Sequence, residues 1–175
     1  MLVKIEDLQP KNILNFFPSQ PLVGKNQAFL YDKENFEKLS FAANLLQISG
    51  VEKCLITDTL LGIHYSSTVE KEDVKALVLA ELDDYFSEQP QIYNNNNPQV
   101  ASIDLIEALA DSFIRPTLNR DKGDIKILSW DKETLTLRFI GHCAGCPYAQ
   151  NTLNNVIAAC LKRYVPQLKN IQIGE

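Results

Sequence analysis

Along residues 134–140 the side chains run Thr134-Leu135-Thr136-Leu137-Arg138-Phe139-Ile140, and this alternation predicts a half-buried strand. A second strand is expected over 124–130, joined to one over 133–140 by a turn at Asp131-Lys132. Helices are expected over about 101–118 and about 147–164, with a short last strand over 168–173. Arg115-Pro116 falls near the end of the first of these helices, where proline removes a backbone bond and is expected to bend or stop it. In the first half, strands are expected over 12–17 and 27–31. A helix over 34–47 would show an apolar face of Phe36, Leu39, Ala43 and Leu46, with Gly50 supplying a left-handed end. A hairpin is expected over 51–56 and 60–65 around Thr57-Asp58-Thr59. A second amphipathic helix over 70–86 runs through Val74, Leu77, Val78, Glu81 and Leu82. Between the halves, Asn94 to Asn97 stand between Pro90 and Pro98, a stretch unable to bury apolar surface. The fold class expected is α+β: two small α+β domains, each a short sheet with helices packed on one face, joined by an Asn-rich linker. The boundaries expected are 1–88, a flexible linker over 89–100, and 101–175.

The candidate chemistry lies where the alternating strand ends. Gly141-His142-Cys143-Ala144-Gly145-Cys146-Pro147 sets two thiols three residues apart, between a strand and an expected helix, with Pro147 suited to a first helical position. Such a corner favours thiolate over thiol, because unpaired N–H groups and the positive end of a helix dipole stand nearby. Cys143 and Cys146 are therefore the candidate metal- or cofactor-binding residues, and no catalytic constellation is visible elsewhere. A lone C-x-x-C is compatible with a dithiol redox pair, half of a zinc site or half of an iron–sulfur site.

The surrounding pieces narrow the choice. Ile114-Arg115-Pro116-Thr117-Leu118, Asp121-Lys122-Gly123-Asp124-Ile125, the cysteine motif, Thr152-Leu153 and Tyr164-Val165-Pro166 follow one another in an order and spacing that resemble the C-terminal domain of the NifU/Nfu family of iron–sulfur cluster carriers. The first half is similar, more by pattern than by signature residues, to the N-terminal domain of full-length Nfu proteins. That similarity rests on the run from Pro10 to Pro18, Ile48-Ser49-Gly50-Val51 and the helix ending at Phe86. Three positions depart from the family pattern: Lys122 where a glycine is usual, leaving Gly123 as the expected site of a positive φ; His142 where a small residue is usual; and Tyr148 where small hydroxyl residues are common. The resemblance implies a non-enzymatic scaffold or carrier. It implies a homodimer in which Cys143 and Cys146 of both chains hold one 4Fe-4S cluster, with 2Fe-2S as the other possible form. It also implies upstream cluster-assembly proteins and recipient apo-proteins as partners. Ligand number agrees, since such a cluster takes about four thiolates and one chain offers two together.

Composition adds limits. Of the 175 residues 45% are hydrophobic, enough for one ordinary domain or two small ones, and no run approaches the ~20 apolar residues of a membrane span. The formal charge of −5 is distributed unevenly. Residues 1–89 hold 8 Lys and Arg against 14 Asp and Glu, net −6, and residues 90–175 hold 9 against 8, net +1. No basic stripe suggests nucleic acid, and neither nucleic acid nor membrane is an expected partner. The first residues look like neither a signal nor a transit peptide, which leads to an expected cytoplasmic, bacterial-type setting. Cys54, in an apolar strand, and Cys160, about 21 Å along a helix from Cys146, are expected to be packing residues. Asp121 and Asp124 are expected to serve turns and caps, and His64 and His142 to be ordinary side chains. Two other readings of the C-x-x-C pair remain: a dithiol oxidoreductase, disfavoured because no thioredoxin-like βαβ start surrounds it, and a zinc-stabilised interaction module whose acidic first half docks clients.

Overall fold

The computed structural model describes residues 3–9, 11–35, 40–88, 92–93, 100–144, 147, 151 and 153–174. The chain divides into two units, Met1–Gln99 and Val100–Glu175.

The first unit is a five-stranded antiparallel sheet of β1 (Val3–Leu8), β2 (Ile13–Pro18), β3 (Ala28–Asp32), β4 (Val51–Thr57) and β5 (Leu61–Tyr65), in the spatial order β1-β2-β5-β4-β3. Two helices accompany it, α1 (Ser40–Gln47) and α2 (Lys71–Ser87). β1 is an addition to the sequence reading. Its charged residues Lys4, Glu6 and Asp7 mask the period, and the strand is fixed by pairing in register with β2, from Val3 opposite Pro18 to Leu8 opposite Ile13. Leu14, Phe16, Cys54, Ile56, Leu61 and Ile63 on the sheet join Phe41, Leu45, Val74, Val78 and Leu82 on the helices in one core. Within α1 the buried residues are Phe41, Ala42, Leu45 and Leu46, so the core face is rotated from the one expected through Ala43; Phe36 and Leu39 lie outside the described residues. Leu77, expected on the buried face of α2, is 51% exposed, because Val74, Val78 and Leu82 alone keep the four-residue spacing that faces the sheet. Gly50 takes the left-handed conformation expected after α1, with φ at 83°. The hairpin turn is held by Thr57, whose Oγ1 accepts the N–H of Leu60 at 2.9 Å. Most of the stretch expected as a free linker lies outside the described residues. Tyr93 within it is fixed to the first unit, its carbonyl accepting the Gly24 N–H at 3.0 Å and its ring edge-on to Phe29.

The second unit begins with a helical run of α3 (Ile103–Leu109), a π-helical turn (Ala110–Ile114) and α4 (Arg115–Arg120). Ser102 caps α3, its hydroxyl accepting the Leu105 N–H at 3.1 Å. The helix does not stop at Pro116. The Arg115 N–H bonds back to the Ala110 carbonyl, five residues away, and this widened turn makes room for the proline ring at the start of α4. A three-stranded sheet follows, β6 (Gly123–Asp131), β7 (Thr134–Gly141) and β8 (Asn170–Ile173), with β6 antiparallel and β8 parallel to β7. Ile125, Ile127, Leu135, Leu137 and Phe139 are buried from the sheet. Also buried are Leu105, Ile106, Leu109 and Ile114 from the first helical run, and Leu153, Ile157 and Leu161 from the last helical region, a π-helical turn (Leu153–Ala158) leading into α5 (Ala159–Tyr164). Phe113 stacks on Tyr164 with centroids 5.4 Å apart. Each unit is therefore α+β.

Candidate functional site

The cysteine corner is built on the open end of the β6–β7 ladder, where Gly123 is the partner of Gly141. Before β6, the chain leaves α4 in a tight turn: Asp121 N–H bonds to the Leu118 carbonyl and Lys122 N–H to that of Asn119, both at 3.0 Å. Beyond β7, the His142 N–H returns to the Lys122 carbonyl at 3.0 Å, and the Ala144 N–H closes a turn on the Gly141 carbonyl at 3.1 Å. Gly141 permits this reversal with φ at 63°. Two loops distant in sequence are thereby tied together at the base of the cysteine motif.

Cys143 is half-buried, and His142 beside it is exposed. Cys146 and Tyr148 lie outside the described residues, as does most of the helix start expected from Pro147. The turn before β6 corrects one expectation. Lys122, not Gly123, takes the left-handed conformation, with φ at 55°. Gly123 is in strand geometry, and its importance is spatial: a Cβ built there would overlap Cys143 Sγ.

In the sequence Arg115 stands out only as part of a motif and of an expected helix bend. Its side chain is buried and forms the centre of a charged cluster. It meets Glu107 Oε2 at 2.8 Å and Asp111 Oδ1 at 2.6 Å, and its Nε donates to Asp124 Oδ1 at 3.1 Å. The guanidinium also donates to the Ile125 carbonyl at 3.1 Å. Burial opposes its charge, but Asp111 and Glu107 outweigh that cost and raise its pKa above the usual value. Asp124 additionally accepts its neighbour Ile125 N–H at 2.7 Å, so the start of β6 is pinned to the helix in front of it. The signal in sequence was the spacing of Glu107, Asp111 and Arg115, four residues apart on one helical face.

The other two cysteines are elsewhere. Cys54 is fully buried on β4 opposite Tyr31 and Ile63, and burial first, then the nearby Asp32 charge, pushes its thiol up to about 12. Cys160 is half-buried on α5, pushed up to about 11 by burial against a partial opposing pull from Arg163. Both thiols favour the neutral form. His64 pairs with Ile13 and Lys53 within the first sheet. Among the described residues no three His, Cys, Asp or Glu side chains converge as a metal site, and no helix is long and apolar enough to cross a membrane.

The model of the NifU-like domain family matches residues 106–172. The NFU1 iron-sulfur cluster scaffold homologue, mitochondrial, of Drosophila persimilis is 25% identical over 182 aligned positions, covering 98% of this chain and 64% of that protein. The protein of the same name from Drosophila willistoni is 26% identical, covering 98% of this chain and 63% of its own length. The chain thus spans slightly under two thirds of these relatives. A solution NMR structure of a NifU-like protein from Saccharomyces cerevisiae aligns with a TM-score of 0.46 at 19% identity, covering 50% of this chain and 80% of that one. The expectation of a cytoplasmic, bacterial-type setting is overturned, since the similar proteins are named as mitochondrial. A NifU-like domain thus spans residues 106–172, and the chain is similar to NFU1 iron-sulfur cluster scaffold homologues along nearly all of its length.

Proposed function

We propose that this chain is a scaffold and carrier for an iron–sulfur cluster, held as cargo between two copies by Cys143 and Cys146 of each and passed to recipient apo-proteins. The observation that carries this reading is the placement of Cys143: its sulfur sits against the backbone of Gly123 at a corner closed by the Lys122–His142 hydrogen bond, yet the residue is only half-buried. A ligand so placed is oriented by the fold and still reachable from outside. In this proposal residues 1–88 form an Nfu-type N-terminal domain, 89–100 a linker, and 101–175 the cluster-binding domain.

The chemistry follows from ligand count. A 4Fe-4S cluster takes about four thiolates, and two copies of one C-x-x-C pair supply that number. Each thiol gives up its proton on ligation, so loading strengthens as pH rises towards the thiol range. Cargo at a junction of two chains leaves when a recipient's thiolates replace these four one after another, a ligand exchange that needs no oxidant or reductant. No substrate is turned over. Upstream assembly proteins would load the site by the reverse exchange.

Anaerobic reconstitution with iron and sulfide, followed by iron, sulfide and sedimentation analysis, tests the reading. A brown protein carrying about four irons per two chains, monomeric without cluster and dimeric with it, is the expected result. About two irons per two chains assigns the 2Fe-2S form instead. A colourless protein that takes up zinc, or one that only cycles between dithiol and disulfide, overturns the reading.

A further inference from the structure

Gly123 opens β6 with no left-handed φ, so backbone freedom does not account for a glycine there. Space does. A Cβ at this position would overlap Cys143 Sγ, while standing 3.2 Å from Cys143 Cβ and 3.3 Å from its backbone nitrogen. The two longer approaches are met by shifts of a few tenths of an ångström, but the sulfur has to leave. We propose that Gly123 is a positioning residue for Cys143, its missing side chain forming the seat that holds the sulfur against the start of β6.

Each side of the seat is fixed independently. On the strand side, Arg115 grips Asp124 Oδ1 and the Ile125 carbonyl, immediately after Gly123. On the loop side, the Lys122 carbonyl holds the His142 N–H, immediately before Cys143. A methyl group at 123 therefore cannot be accommodated by moving either backbone far, and the soft coordinate is rotation of the Cys143 side chain about its Cα–Cβ bond. That rotation carries the sulfur away by more than the roughly 0.5 Å tolerance of a ligand set. For the cluster reading, on which this consequence rests, Gly123→Ala leaves a folded chain with a misplaced ligand.

The test compares the full chain with Gly123→Ala, Cys143→Ala and the double variant. In thermal melts without iron, Gly123→Ala lowers Tm with Cys143 present, and by less than roughly half as much in the Cys143→Ala background, where no sulfur is displaced. Equal shifts in both backgrounds overturn the proposal. If Gly123→Ala alone fails to fold, folding of the double variant supports the seat and its failure to fold overturns it. After anaerobic reconstitution, folded Gly123→Ala retains less than about a third of the wild-type iron per chain; full loading overturns its positioning role. Should the wild-type chain itself take up no iron, the cluster reading fails, and the melts alone decide whether Gly123 seats the sulfur.

Discussion

At the scale of single residues, the three described cysteines divide by environment. Cys143 is half-buried at a corner, whereas Cys54 and Cys160 have their neutral thiols favoured by burial. In the proposed two-chain cluster site, replacing Cys143 or Cys146 by Ala would remove two of about four ligands and is expected to abolish or severely weaken cluster retention. Cys54→Ala and Cys160→Ala cost about 1–2 kcal/mol of packing and keep the cluster. Iron per chain and visible absorbance of all four variants check this, and loss of cluster from a folded Cys160→Ala protein would contradict it. Cys54 also gives the fold an alkaline limit. Its folded pKa of about 12 stands above the ordinary 9.0, so its stabilising effect is complete below pH 9 and is lost as pH rises towards 12. Over that window stability declines by about 1.4 kcal/mol per pH unit from this residue, because the unfolded thiol ionises and the folded one does not. Urea denaturation of wild type and Cys54→Ala at pH 8 and pH 10.5 should show the steeper alkaline loss in wild type.

At the scale of elements, the turn before β6 and the clamp behind it decide how well the corner is held. Lys122 pays for a left-handed φ of 55° that glycine adopts freely. Lys122→Gly is therefore expected to stabilise the second unit by roughly 0.5–1 kcal/mol, after the extra entropy of an unfolded glycine is deducted. Chemical denaturation measures this directly, and a destabilised variant would mean that contacts of the lysine side chain outweigh its backbone strain. Arg115 acts on a larger energy. Removing it by Arg115→Met takes the guanidinium away from the nearly buried Asp111 and releases the start of β6, at Asp124, from the helix. The expected loss is about 3 kcal/mol, at the lower end of the range for breaking a buried pair because Glu107 and Asp124 stay partly in water. Arg115→Lys keeps the charge but cannot fork between the carboxylates and the Ile125 carbonyl, and should recover only part of the loss.

At the scale of the whole molecule, the second unit contains its own apolar core between the β6–β7–β8 sheet and its helices. A fragment of residues 98–175 is therefore expected to unfold cooperatively by itself and to take up iron and sulfide as the full chain does. An unfolded fragment, seen by circular dichroism, would show that the core needs residues from the first unit. The placement of Tyr93 against Phe29 is the reason the cut belongs after residue 93, since a break before it removes an aromatic partner from the first unit.

Sequence alone determined what repeats locally. The alternation in β7, the four-residue spacing of Val74, Val78 and Leu82, the left-handed Gly50 and the place of Cys143 just beyond a strand end were all readable, because period and turn chemistry are properties of neighbouring residues. Tertiary structure decided what depends on distant neighbours. β1 became a strand by pairing with β2 in spite of its charged positions, and the helix passed Pro116 because a π-helical turn widened ahead of it. Asp124 joined Glu107 and Asp111 on Arg115 only once β6 had packed beside the helix. The roles of Lys122 and Gly123 exchanged for the same reason: local rules assign the positive φ to glycine, but the strand geometry of Gly123 and the sulfur twenty residues ahead leave that conformation to the lysine.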